Sequence, residues 1–190
     1  VKPGTFSMPY GGDGNTIANN LGISEELGKA AYDRFMNAFP GLINYYNRVE
    51  KHSLLNGFIY CNDFSKRKIF LTNYDQYKLL ASKKYLDKED FKLKMRYESK
   101  IKRLARNYPI QASGSDMLKL SGLFLFTWLR KNNFLNIIKI VGFIHDEIIL
   151  EAPEELAKKA EQALNNCMIK AGKIICPNIP IYTESRISDI

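Results

Sequence analysis

"IVGFIHDEIILE", residues 140–151, is the stretch on which the fold turns. Both arms are apolar and rich in β-branched residues, as buried strands are. Yet His145, Asp146 and Glu147 stand at its centre. Two carboxylates inside a core would cost several kcal/mol each unless paired, hydrated or bound to a cation. A hairpin with its turn near His145-Asp146 removes the conflict, because it takes the acids out of the core and aims them at one edge of a small sheet. Two uses then stand open. The acids could simply keep an exposed turn soluble, or they could bind a divalent cation such as Mg²⁺, which takes one or two protein carboxylates plus phosphate oxygens.

Outward from the hairpin, the pattern alternates helical and extended pieces. "ISEELGKAAYDRFMNAF" reads as a helix with Ser24 as cap, Glu25 and Glu26 in the first turn, and Leu27, Ala31, Phe35 and Ala38 on one face. Pro40-Gly41 ends it, and a second helix is expected over about 42–55, with Tyr45, Tyr46 and Val49 inward and Asn56-Gly57 closing it. "FIYCNDFSKRKIFL" reads as two short strands around a basic turn. The polar, basic stretch that follows is helical in parts, with Asp87 as a cap. Pro109 is expected to interrupt it, and a core helix to run from about 113 to 131. A helix opened by Pro153-Glu154-Glu155 follows the hairpin, and "NIPIYTESRI" is expected to close the chain as a strand. The expected class is α+β.

The 190 residues carry 28 Lys and Arg against 20 Asp and Glu, a net charge of +8. Such a surplus favours phosphate-rich partners, although an AT-rich genome also yields lysine-rich proteins. No run of apolar residues is long enough to span a membrane, and Val1 opens no secretory leader. Cys61, Cys167 and Cys176 lack metal-binding spacing, so free thiols in a reducing cytoplasm are expected.

Two further constellations bear on function. In "RLARNYPIQASGSDMLK", residues 103–119, Arg103, Asn107 and Gln111 recur at intervals of four. Asn and Gln amides can hydrogen-bond the minor-groove acceptors that every base pair displays, testing duplex geometry without reading sequence. Lys2, Phe6 and Tyr10 also recur at intervals of four, a cation followed by two rings. Taken alone, that stripe suits an ordinary core at least as well.

Together and in this order, the three stretches resemble the polymerase domain of the DNA polymerase I family, family A. "KPGTFSMPYG" is similar to the family's Lys-x-x-x-Phe-Gly-x-x-Tyr-Gly fingers helix. "RLARNYPIQASGSDMLK" is similar to its Arg-x-x-x-Asn-x-Pro-x-Gln-Gly-Thr-x-x-Asp-x-x-Lys pattern, and "IHDEI" to its His-Asp-Glu hairpin. The likeness covers almost the whole chain. It implies a partial right-hand fold, with residues 1–86 as part of the fingers and 87–190 as part of the palm.

By this resemblance Asp146 is a metal-binding catalytic carboxylate and Glu147 its catalytic neighbour. His145 would lie near the primer terminus, and Arg103, Asn107 and Gln111 would contact primer and template in the minor groove. Lys2 would bind the phosphates of the incoming dNTP, Phe6 would pack near its sugar, and Tyr10 would sit by the templating base. Lys66 and Arg67, in the basic turn, are expected to touch the DNA backbone. The implied reaction is template-directed DNA synthesis on primer-template DNA with two Mg²⁺ ions in the complete enzyme, in the cytoplasm and with no membrane partner.

The sequence also departs from the family pattern. Ser7 follows Phe6 where the family has Gly, and Ala112-Ser113-Gly114 replaces Gly-Thr-Ala after Gln111. Such loosened patterns suit a phage-type member. The Asp-Tyr-Ser-x-x-Glu strand that carries the family's other catalytic aspartate is absent from these residues. The chain therefore reads as the C-terminal part of a polymerase whose thumb and first palm strand lie upstream, and as inactive by itself. A non-catalytic duplex-DNA-binding module is the alternative. A metal-dependent nuclease is disfavoured by the single acidic cluster.

Overall fold

The computed structural model describes residues 12–188. It bears out the α+β class: helices dominate, with two small antiparallel sheets. By mutual contact the chain gathers into two compact units. One runs to Cys61 and resumes from Arg67 to Ile110; the other holds Asn62–Lys66 and continues from Gln111.

In the first unit, α1 (Gly14–Leu21) is capped by Asp13, which accepts the Thr16 N–H at 2.9 Å and the Thr16 hydroxyl at 2.8 Å. Those two bonds hold the Asp13 carboxyl below its usual value of 3.8. α2 (Glu25–Ala38) starts at Ser24 as expected, with the Leu27 N–H donating to the Ser24 hydroxyl at 3.4 Å. Its expected apolar face is not the buried one, since Leu27 is 60% exposed and Gly28 is buried instead. The reason is a close backbone approach. A Cβ on Gly28 would lie 2.3 Å from the Gly14 carbonyl oxygen, so the α1–α2 crossing rests on missing side chains rather than on an apolar stripe.

α3 (Pro40–Asn56) takes Pro40 in its first turn and closes on Gly57 at φ 75°. Tyr46 is buried, with Tyr45 and Val49 half-buried. β1 (Phe58–Tyr60) pairs with β2 (Lys68–Phe70) in the register Phe58↔Phe70, Ile59↔Ile69 and Tyr60↔Lys68. After α4 (Tyr74–Ala81) comes α5 (Lys88–Lys131), opened by Asp87, which accepts the Asp90 N–H at 2.7 Å. Ile59, Leu71, Ile101 and Ala105 form this unit's core.

The expected break at Pro109 does not occur, and α5 is a single helix of 44 residues. Proline inside a helix removes one ladder hydrogen bond and crowds the preceding turn, at about 3 kcal/mol. In a long helix that loss falls on one turn, and Pro109 is itself buried. Nor is the 113–131 stretch buried on most sides. Leu125 and Leu129 are at most 1% exposed, whereas Leu123 is 59% exposed.

The second unit packs α5 residues Leu125 and Leu129 against Ile138, Ile148, Ala160, Ala163 and Cys167. β3 (Lys139–Ile144) and β4 (Glu147–Glu151) form the expected hairpin, with a register shift between Ile140 and Gly142. α6 (Glu154–Ile175) follows Pro153 and carries Glu154 and Glu155 in its first turn. The closing strand expected at 178–187 is not formed. A strand needs a partner edge, and this segment lies along α6 instead. Ile181 packs where a Cβ on Gly172 would be, 2.6 Å from its Cγ1. Asn165 of α6 donates to the Ser185 hydroxyl at 3.0 Å, and Ser185 donates to Glu161 at 2.6 Å.

Candidate functional site

The β3–β4 ladder brings Ile144 opposite Glu147, which leaves His145 and Asp146 as a two-residue tip. His145 has φ 52°. A positive φ at the first tip position matches the primed turns whose twist suits short hairpins. Ile148, one residue past Glu147, is 8% exposed and belongs to the core of the unit. Strand alternation thus anchors Ile148 inward and leaves His145, Asp146 and Glu147 exposed. The acids that looked misplaced in an apolar run are at its turn, on strands pinned from behind.

The donor chemistry there is hard carboxylate oxygen, which suits Mg²⁺ better than a softer metal. Among the described residues no group of three or more His, Cys, Asp or Glu could hold a metal ion. Asp146 with Glu147 therefore fits Mg²⁺ only as a partial site.

The residues expected to contact the minor groove, Arg103, Asn107 and Gln111, lie on α5. Arg103 is exposed and Asn107 half-buried, one turn apart within the first unit. Gln111, exposed, begins the part of α5 that belongs to the second unit. Lys2, Phe6 and Tyr10 lie outside the described residues.

Lys66 and Arg67 sit in the seven-residue connection between β1 and β2, both exposed. Lys66 has φ 51°, and its ammonium pairs with Asp63 at 3.1 Å. Asn62 Nδ2 donates to Asp116 Oδ2 at 2.9 Å, and the Ser65 hydroxyl donates to the same oxygen at 3.0 Å. Asp116, on α5, carried no role in the sequence reading.

Arg106 was missed as well. Its guanidinium forms an ion pair with Glu50 and lies 4.5 Å from the centre of the Tyr46 ring. Burial raises the Tyr46 phenol above its usual 10.0, with Arg106 pulling the other way. Arg106 is thus committed to holding α3 and α5 together, while Arg103, one position short of a full turn before it, stays exposed. No local signal separates the two arginines, because Glu50 lies 56 residues from Arg106.

Comparison with known proteins bears on the same residues. A DNA polymerase I from Aquifex aeolicus is 40% identical over 85 residues, which is 45% of this chain and 14% of that protein. One from Streptococcus pneumoniae is 28% identical over 184 residues, 97% of this chain and 19% of that protein. The chain thus spans about a fifth or less of the relatives it matches. The solved polymerase domain of Pol1 from M. smegmatis, in complex with DNA primer-template and dNTP, has the same fold. The two superpose with a TM-score of 0.70 at 20% identity, over 88% of this chain and 26% of that one. The sequence profile of DNA polymerase family A matches residues 1–189, and the chain belongs to that family.

Proposed function

We propose that this chain supplies part of the fingers, residues 1–86, and part of the palm, residues 87–190, of a template-directed DNA polymerase. The observation that carries the proposal is the exposed carboxylate pair at a tight tip, pinned by Ile148. Asp146 would hold a divalent cation and Glu147 would support it. A cation held there by Asp146 would supply charge stabilisation for the phosphoryl group being transferred from dNTP to the primer 3′-hydroxyl. His145, beside Asp146 on the tip, would orient the primer terminus.

Arg103, Asn107 and Gln111 would hold the duplex through minor-groove acceptors, which are present at every base pair and so allow any sequence to be copied. Lys66 and Arg67 would neutralise backbone phosphates. Lys2, Phe6 and Tyr10 would receive the phosphates, sugar and templating base of the incoming nucleotide. With one acidic tip the 190 residues alone would not synthesise DNA, and the work would be done in the cytoplasm by the whole protein. Among the described residues no helix is long and apolar enough to cross a membrane.

The test is Asp146→Asn in the whole protein. Nucleotide addition should fall by a factor of about 10³ or more, since charge stabilisation of this kind supplies the largest share of such catalysis. Affinity for primed duplex should stay within a few fold. Normal turnover by the variant would remove Asp146 from the site. DNA binding without any turnover in the unmutated protein would identify a non-catalytic duplex-binding module instead.

A further inference from the structure

We propose that Asp116 is a positioning residue for the basic loop between β1 and β2, presenting Lys66 and Arg67 to the DNA backbone. This rests on the reading of those two cations as phosphate contacts. The geometry is a clip. Asn62 uses both ends of its amide: Oδ1 accepts the Ser65 N–H at 2.8 Å, while Nδ2 donates to Asp116 at 2.9 Å. The Lys66 N–H donates to the Asn62 carbonyl at 3.2 Å, and the Ser65 hydroxyl adds the second bond to Asp116 at 3.0 Å. One carboxylate oxygen thus ties two loop residues, 51 and 54 positions away in the chain, to a helix.

Three features point to presentation rather than simple packing. The residue that leaves the clip, Lys66, takes the left-handed conformation at φ 51°, which a lysine adopts only when its surroundings impose it. Hydrogen bonds to a charged acceptor are about twice as strong as neutral ones, so Asp116 is suited to imposing it. Moreover, Lys66 is parked on Asp63 in an ion pair whose two side chains are largely exposed. Such a pair is weak and is easily exchanged for a phosphate. A loop of seven residues with free ends would spread its cations over many positions, and the clip fixes them at one.

The proposal makes a prediction of unusual sign. Removing an acid from a DNA-binding protein ordinarily strengthens binding, because the net positive charge rises. Asp116→Ala should instead weaken it. The experiment measures affinity of the whole protein for primed duplex DNA by fluorescence anisotropy across a salt series. Each neutralised phosphate contributes about 0.9 to the slope of log K against log salt. Lys66→Ala with Arg67→Ala should lower the slope by about 2, and Asp116→Ala by about 1 or more. Combining all three should give little beyond the Lys66/Arg67 pair.

Asn62→Ala with Ser65→Ala, which spares Asp116 and the net charge, should reproduce the Asp116→Ala slope and decides the matter if Asp116→Ala does not fold. Asp116→Asn, which keeps an acceptor oxygen, should recover part of the slope. An unchanged slope in the clip variants beside a lowered slope in Lys66→Ala/Arg67→Ala overturns the positioning role and leaves the phosphate contacts standing. Full additivity also overturns it, because Asp116 would then act elsewhere. An unchanged slope in every variant overturns both the clip and the reading of Lys66 and Arg67 on which it rests.

Discussion

The two hairpins solve the same problem in opposite ways. Both are antiparallel pairs, and both hold a non-glycine residue at nearly the same left-handed φ, Lys66 at 51° and His145 at 52°. The β3–β4 hairpin has longer strands and a two-residue tip, so its ladder alone fixes where Asp146 points. The β1–β2 hairpin has three-residue strands and a seven-residue connection, too long for the ladder to control. Its order comes from side chains: Asn62 and Ser65 of the loop bonded to Asp116 of α5, and Tyr74 against Gly57 at the entry to β1. The acidic tip is held by backbone pairing, which suits the proposed placing of one cation at Asp146. The basic loop is held by replaceable side-chain bonds, which suits the proposed contact with a repetitive phosphate backbone.

The largest expected effect sets the two glycines of these hairpins against each other. Gly57 lies at φ 75°, and a Cβ there would fall 2.3 Å from the Tyr74 ring, whose hydroxyl donates to the Leu55 carbonyl at 2.7 Å. Gly57→Ala should therefore cost about 2–4 kcal/mol, from left-handed strain plus overpacking. A Cβ on Gly142 of β3 meets nothing within 4 Å. Gly142→Ala should stay within about 1 kcal/mol, since only the glycine backbone entropy changes. Urea denaturation of both variants is the measurement. Equal costs would show that the β1–β2 hairpin does not depend on its entry turn.

What the sequence made legible follows the same division between local and distant causes. Ser24, Asp87 and Gly57 act on residues three or four positions away, and each caps the helix it was expected to cap. The His145-Asp146 turn was readable for the same reason, because acids at the centre of an apolar run allow few local solutions. Pro109 is carried through α5 because its cost falls on one turn of a long helix. The other misreadings depend on what is farther off in sequence: "NIPIYTESRI" finds α6 rather than a strand, and Leu27 is displaced from the packed face by the approach of Gly14 to Gly28. The Asp116 clip and the Arg106–Glu50 pair span more than fifty residues, and nothing in their neighbourhoods marks them.

An intermediate effect separates the surroundings of the hairpins by pH. Burial raises the phenols of Tyr45, Tyr46 and Tyr77, in the first unit, above 10.0. It raises the Cys167 thiol, in the second, above 9.0. For an acid whose folded pKa is raised, the associated stability is complete below the unfolded value and is lost as pH rises through the folded one. The core behind β3–β4 should thus begin to lose stability above about pH 9, before the tyrosines around β1–β2 begin above about pH 10. Urea melts between these values should weaken in the native protein and less in Cys167→Ala, compared with each protein's own stability at pH 8. Tyrosine absorbance should show the Tyr45, Tyr46 and Tyr77 phenols ionising only above about pH 10. Their ionisation already at the ordinary tyrosine value would mean that the first core opens before its tyrosines titrate.

The smallest effect probes the shared φ directly. Glycine relieves the left-handed cost of about 1–2 kcal/mol but gives back part of it as unfolded-chain entropy. Lys66→Gly and His145→Gly should each change stability by no more than about 1 kcal/mol, in the stabilising direction. Valine is the discriminating substitution, because β-branched residues tolerate positive φ worst. At 145 the Ile144↔Glu147 pairing leaves the tip no other conformation, so His145→Val must strain the turn or break the register. At 66 the strain exists only while the loop is clipped to Asp116. Lys66→Val should therefore be destabilising in the otherwise unchanged protein and close to neutral in an Asp116→Ala background. His145→Val should cost the same in both. A Lys66→Val penalty that survives loss of Asp116 would mean that the β1–β2 ladder itself, and not the clip, sets the backbone at Lys66, and the contrast between the two hairpins would disappear.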